Sequence, residues 1–306
     1  YFCNSGAEAN EAAIKLARRY FRTQEGRNSD RYKIITMERS FHGRTYGAMS
    51  ATAQSKLHIG HEPLVPGFVY VPFNDIDAVA RAITDETAAV MLEPIQGEGG
   101  VRVPDDDYLP RLRQLCDEKG ILLIFDEVQT GCGRTGKWFG YQHYDITPDI
   151  MTLAKALGGG APIGAMVARP EVAEKLKPGS HASTYGANPL VVAAAVAVFE
   201  TIEQENLLER VDRISTYILE KARALQNQFG FIESVRGRGL MLAIELSLPA
   251  GPVVAAALEK GLRLNATQET VLRLLPAMTI AESEVDEAFD ILTSVLQETE
   301  SKLVTS

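Results

Sequence analysis

Ile121-Leu122-Leu123-Ile124-Phe125-Asp126-Glu127 is an unbroken apolar run that ends in two acids. Such a run, without polar alternation, fits a strand buried on both faces, and strands of that kind belong to parallel sheets covered by helices. Working outward, Lys33 to Met37, Gly67 to Val71, Ala88 to Glu93 and Ile163 to Ala168 read the same way. Helical periods lie between them, at Glu8 to Phe21, Ile76 to Ile83, Tyr108 to Lys119 and Pro170 to Leu176. The alternation predicts an α/β fold, a mostly parallel sheet with helices on both faces. After Asn188 the texture changes to two long helices, Pro189 to Glu203 and Leu207 to Phe229, the second stopped by Gly230. A β-like piece (Gly239 to Leu246), a helix (Val253 to Lys260), a strand pair (Leu262 to Asn265 with Val271 to Leu274) and a last helix (Glu282 to Thr299) follow. The chain therefore divides, on this reading, into a large domain at 1–187 and a smaller α+β domain at 188–306, joined by the long helix.

Composition narrows the function classes. The 306 residues are 45% hydrophobic and 23% charged, the profile of a globular protein rather than a disordered, collagenous or coiled-coil one. No apolar run reaches the ~18 residues of a membrane span. The net charge of −9 argues against nucleic acid as the main partner. Three cysteines, none in a CxxC pair, and no signal-like leader fit a reducing, cytoplasmic setting. The chain opens on apolar Tyr1-Phe2-Cys3 and runs directly into a helix cap, so we expect a segment upstream of it. No metal site is expected.

Four motifs bear on chemistry. Gly131-Cys132-Gly133-Arg134-Thr135-Gly136 matches GxGxxG, and Lys137 extends it toward a P-loop, but Trp138 stands where Ser or Thr must reach Mg²⁺. A poor helix start follows, so a glycine-rich turn is the better account. Ser5 and Glu8 form a capping-box pattern before an Ala-rich helix. This is either a plain helix cap or, with small Gly6 and Ala7, a phosphate site on the positive helix end. Asp126 ends its strand where open parallel sheets bind ligands; alternatively it caps the next element. Lys155 stands alone in an apolar stretch before Gly158-Gly159-Gly160. It is either a snorkelling lysine or a desolvated amine with a lowered pKa, suited to Schiff-base chemistry. A helix end for a phosphate, a strand-end acid and an isolated lysine are together what pyridoxal phosphate requires.

Eight segments then resemble one family in order along the chain: NSGAEANEAAIKLAR (4–18), SFHGRTYGAMSAT (40–52), EPIQGEGGV (93–101), FDEVQTGCGRTG (125–136), TLAKALGGGAPIGA (152–165), STYGANPL (183–190), VRGRGLML (235–242) and VLRLLPAMTI (271–280). The sequence resembles the class III (fold-type I) pyridoxal-phosphate aminotransferases, most of all their acetylornithine group. The resemblance implies that Lys155 is the Schiff-base lysine and Asp126 the partner of the ring nitrogen. It implies a cofactor contact for Glu127 and Val128, and for Gln129 one beside the ring hydroxyl. Gly6 and Ala7 would form the phosphate turn, and Phe41 would stack on the ring. Thr184 would reach the phosphate of a neighbouring subunit, with Ser183 near the substrate. Arg44 would grip a substrate carboxylate and Arg273 the α-carboxylate, with Glu98 pairing Arg273 when a different substrate is bound. A purely structural Arg273–Glu98 pair is the alternative. His42 reads as structural.

The implied reaction is ping-pong transamination from the distal amine of N2-acetyl-L-ornithine to 2-oxoglutarate, within arginine biosynthesis. Succinylornithine, ornithine, 4-aminobutyrate and acyl-lysine donors are the alternatives, as is an inactive chain. The expected partners are a small amine, a 2-oxo acid and a second copy of the chain in a homodimer with shared sites, with no nucleic acid and no membrane.

Overall fold

Alternate residues of single strands face opposite helical layers. Ile34, Ala89, Met91 and Ile124 pack with Ala12, Ala13 and Leu16, while Ile35, Val90, Leu92, Leu123 and Phe125 pack with Val79, Leu109 and Leu112. A strand covered on both sides has no solvent face to keep polar, which is why these runs are continuously apolar. The computed structural model describes residues 1–23 and 30–304.

Seven strands form the large sheet: β1 (Phe2–Cys3), β2 (Lys33–Met37), β3 (Phe68–Val71), β4 (Thr87–Leu92), β5 (Leu122–Asp126), β6 (Ile150–Leu153) and β7 (Gly164–Ala168). Their order is β1-β7-β6-β5-β4-β2-β3. The run from β3 to β6 is parallel, and β7 is antiparallel to both β6 and β1. One face carries α1 (Gly6–Arg22), half of whose buried residues are alanine, so it lies close to the strands. The other carries α3 (Ile76–Ala82) and α4 (Tyr108–Lys119). The mostly parallel α/β expectation agrees with this sheet.

α6 (Pro189–Gln204) buries Val191 and Ala195 against Leu157 and Ile163, beside the large sheet. It leads into α7 (Leu207–Gln228). A second sheet of order β10-β11-β9-β8 follows, built from β8 (Ile232–Arg238), β9 (Met241–Leu246), β10 (Asn265–Thr267) and β11 (Val271–Leu274), all antiparallel. α7, α8 (Gly251–Glu259) and α9 (Glu282–Val304) cover it, with Ile214, Ile218, Leu242, Ile244, Leu292 and Leu296 in one core.

The differences from the sequence reading have local causes. β6 and α2 (Tyr46–Ala51) are additional elements. β8 is a strand the pattern hid, because Arg236, Gly237 and Arg238 leave it only half-buried. The partner of β11 is Asn265–Thr267, not Leu262 to Asn265, which a tight turn at Gln268 and Glu269 brings into register. The helix from Pro170 is α5, Pro170–Ala173, and ends before Leu176.

Candidate active site

The parallel strands all end at one edge, and the loops leaving that edge enclose a cavity of about 500 Å³. This is the crevice where open α/β sheets place ligands, and the volume suits a small cofactor with its substrate. Gly6 and Ala7 enter from α1, Phe41 and Arg44 from the loop after β2, and Glu98 from the loop after β4. Asp126, Val128 and Gln129 come from the end of β5, and Lys155 from the turn after β6.

Asp126 is buried, on the α1 side of β5 by strand parity with Ile124. Its Oδ2 accepts from Asn10 Nδ2 at 2.8 Å and faces His42 Nδ1 at 2.8 Å; its Oδ1 accepts from the Val128 amide at 3.0 Å. A carboxylate offers about four acceptor positions, so Oδ1 keeps capacity for one more donor. Asn10 is itself oriented, because its Oδ1 accepts from Thr152 Oγ1 at 2.7 Å. A carboxylate only accepts, so His42 must carry its proton on Nδ1. His42 is thus the buried neighbour of Asp126 rather than a general packing residue.

Glu127 is turned away. Its carboxylate accepts from the Gly140 and Tyr141 amides, both at 2.9 Å, and from Thr130 Oγ1. The structure does not place it at the cavity, because neighbouring residues at a strand end point to opposite sides. Burial raises its pKa.

Lys155 is exposed, lining the cavity rather than buried in an element. It opens the short turn Lys155–Gly158 with φ +45°, a left-handed conformation rare for a residue with a side chain. Strain of this sort persists where surrounding structure imposes it, and it concentrates at functional sites.

Ser5 caps α1 by accepting from the Glu8 amide at 3.2 Å, but Glu8 reaches back to the Asn4 amide at 2.6 Å, one residue earlier than a capping box predicts. The first amides of α1 have no intrahelical acceptor and face the cavity with the positive end of the helix. A Cβ on Gly6 would stand 2.8 Å from Val128 Cγ1, so no larger residue fits there.

Gln129 Oε1 is buried with no partner. Glycine at 97 makes its room, since a Cβ there would lie 2.2 Å from that oxygen. An orphaned acceptor, an acid with one free position, a strained lysine and open helix amides together fit pyridoxal phosphate: ring hydroxyl, ring nitrogen, aldehyde and phosphate each find a complementary group.

Phe41 donates its amide to Glu93 Oε2 at 3.1 Å, and Glu93 Oε1 accepts from Gly97 at 3.1 Å. Burial pushes the Glu93 carboxyl up to about 7. The Arg44 guanidinium lies 5.7 Å from the Phe41 ring centre. Arg273 lines an adjoining space with Glu98, Gln129 and Lys155, and its Nη1 donates to Glu98 Oε1 at 2.6 Å. Ser183 accepts from Asn4 Nδ2 at 3.2 Å beside the cavity, whereas Thr184 is exposed outside it. Arg134 of the GxGxxG turn donates to the carbonyls of Leu240 and Pro276, so that turn anchors the second sheet. Asn10, Glu93 and Asn265 were missed in the sequence; Asn10 lay in a quoted motif, but only its depth on α1 reveals its role.

The aminotransferase class-III family model matches residues 1–296. The acetylornithine aminotransferase of Caldanaerobacter subterraneus subsp. tengcongensis is 52% identical over 97% of this chain and 75% of its own length. The crystal structure of ornithine aminotransferase from Toxoplasma gondii ME49 superposes with a TM-score of 0.94 at 36% identity, covering 98% of this chain and 73% of that one. The N-acetylornithine aminotransferase of Stenotrophomonas maltophilia K279a gives a TM-score of 0.83 at 38% identity, over 99% and 75%. The chain belongs to the class-III aminotransferases, and with them it is a transaminase that works with pyridoxal phosphate.

Proposed function

We propose that this chain transfers the distal amino group of N2-acetyl-L-ornithine to 2-oxoglutarate, giving glutamate and the semialdehyde, as a step of arginine biosynthesis. The observation that carries the reading is the pair of arginines beside Lys155. Arg273 is masked by Glu98, whereas Arg44 has no ion pair among the described residues. An amine donor whose reacting end is distal from its carboxylate needs one open arginine and one masked. A dicarboxylate such as 2-oxoglutarate needs both, and an arginine fork binds a carboxylate through two parallel N–H bonds. The identity of about half with acetylornithine aminotransferases supports the same donor.

Pyridoxal phosphate, when bound, supplies a ring that draws electron density from the carbon losing its proton. Gly6 and Ala7 would hold its phosphate and Gln129 its hydroxyl, with Phe41 and Val128 lining the same cavity. Asp126 would hold a proton on the ring nitrogen, since an adjacent carboxylate favours the charged form. Lys155 Nζ would hold the aldehyde, and its amine is the group placed to move a proton from the amine-bearing carbon of the donor. Arg44 holds the donor carboxylate, and Ser183 borders the substrate. Glu127 holds the loop at Gly140 and Tyr141 instead of touching the cofactor.

The functional unit in this reading is a cytoplasmic homodimer in which the exposed Thr184 reaches the neighbour's phosphate. The chain divides near residue 188, with α6 as connector. An isologous twofold contact then completes both sites together.

The test is visible absorption of the purified holoprotein during titration with acetylornithine, ornithine, succinylornithine and 4-aminobutyrate. Acetylornithine should give the highest kcat/KM, and Lys155→Ala should lose both turnover and the long-wavelength band while staying folded. A clear preference for ornithine would overturn the donor. Sedimentation of holoprotein should show a dimer; an active monomer would overturn the shared site.

A further inference from the structure

The arginine masked by Glu98 has a second holder. Asn265 on β10 and Arg273 on β11 are register partners, so their side chains share one face of the small sheet. Asn265 Oδ1 accepts from Arg273 Nε at 3.1 Å, while Nη1 donates to Glu98 Oε1 at 2.6 Å. The two bonds use different edges of one planar group, whose five N–H donors are fixed in a fork.

Glu98 is tied to the same sheet through its backbone. Its carbonyl accepts from Thr267 Oγ1 at 2.6 Å and from Gln268 Nε2 at 2.8 Å. Arg236 donates to the carbonyls of Gly100 and Val101 at the far end of that loop. Gln268 and Glu269 make the β10–β11 turn with φ of +50° and +65°, left-handed for residues with side chains. With the loop backbone pinned, only the Glu98 side chain is left to withdraw. Its side chain is 37% exposed, against 10% for Arg273.

When Glu98 withdraws, Arg273 loses its ion-pair partner among the described residues and keeps Asn265. Asn265 fixes the guanidinium through Nε and leaves the Nη edge open, the edge a carboxylate takes. Being neutral, it holds the cation without competing for it; an aspartate there would hold it equally and weaken its pull on a substrate anion.

We propose that Asn265 is a positioning residue that keeps Arg273 aimed once Glu98 releases it, and that it thereby sets affinity for the 2-oxo acid but not for the amine donor. This rests on the reading that Arg273 receives the α-carboxylate of the 2-oxo acid, so the experiment includes that arginine.

The two half-reactions are followed separately by the cofactor's absorption in wild type, Asn265→Ala, Asn265→Asp and Arg273→Ala, with glutarate binding to each holoprotein measured by calorimetry. Asn265→Ala should raise the KM for 2-oxoglutarate and the Kd for glutarate about tenfold, with the acetylornithine half-reaction within about twofold of wild type. Asn265→Asp should weaken glutarate at least as much. Equal loss in both half-reactions, or none in either, overturns the role of Asn265. If Arg273→Ala leaves 2-oxoglutarate unaffected, the carboxylate reading itself falls. If Arg273→Ala is selective and Asn265→Ala is silent, the Asn265 proposal alone falls.

Discussion

Asn10 Nδ2 stands 2.8 Å from Asp126 Oδ2 and 2.7 Å from the carbonyl oxygen of His42, so one amide of α1 joins the strand-end acid to the loop that carries Phe41. Thr152 fixes which way that amide points. Asn10→Ala removes both donors from buried acceptors and strands the Thr152 hydroxyl. We expect a stability loss of about 1–3 kcal/mol by chemical denaturation. Cofactor dissociation should rise roughly tenfold, equivalent to about 1.4 kcal/mol. Unchanged cofactor affinity in a folded variant would show that Asp126 does not depend on this support.

Asp126→Asn keeps shape and loses charge. At about 4 Å and an effective dielectric near 20, a pair of unit charges attracts with roughly 4 kcal/mol. We expect kcat to fall at least about 100-fold, equivalent to about 2.7 kcal/mol. Single-turnover kinetics at saturating donor would check this, and an unchanged kcat would refute the pairing.

Glu127→Ala separates a structural acid from a cofactor ligand. The Gly140 and Tyr141 amides and the Thr130 hydroxyl lose their acceptor. We expect a loss of about 2–4 kcal/mol in urea unfolding, since several buried groups go unsatisfied together. Cofactor affinity of the folded fraction should stay within about threefold; a larger drop with little destabilisation would restore Glu127 to the cofactor.

Glu93 makes stability depend on pH. Its carboxyl titrates near 7 in the folded chain against 4.5 ordinarily, with burial as the first cause. Between those values the folded chain binds the proton that the unfolded chain has released, so stability is full below about pH 4.5 and falls as pH rises through about 7. The loss through this one group is of order 3 kcal/mol. Glu93→Gln should flatten that part of the profile in urea titrations of the apoprotein from pH 5 to 8; an unaltered slope would refute the assignment.

Asp126 and Lys155 were legible in the sequence because Asp126 ends an apolar run and Lys155 stands alone within one, signals contained within a few residues. The large sheet was legible for the same reason: strands such as β5 carry their burial on both faces in their composition. Asn10 and His42 were not, because their meaning comes from contacts with Asp126 across 116 and 84 positions. For Glu127 the resemblance implied a cofactor contact, and no local pattern foretold that its carboxylate would take the Gly140 and Tyr141 amides. β8 escaped notice because its charged residues work as clamps, Arg236 above all, rather than marking a surface.

The reversal from β6 into antiparallel β7 sets how far the Lys155 amine can stray. The neighbouring parallel strands hand the chain to long crossovers, whereas residues 154–163 form a short loop closed on both sides by the β6–β7 ladder. In the role proposed for it, an amine that would release its partner and take it up again in each cycle is thereby kept on a short tether. Its effective concentration at the reacting carbon stays high, and little orientational freedom is lost on each return. Lengthening that loop would slow the return step even with every side chain of the site in place.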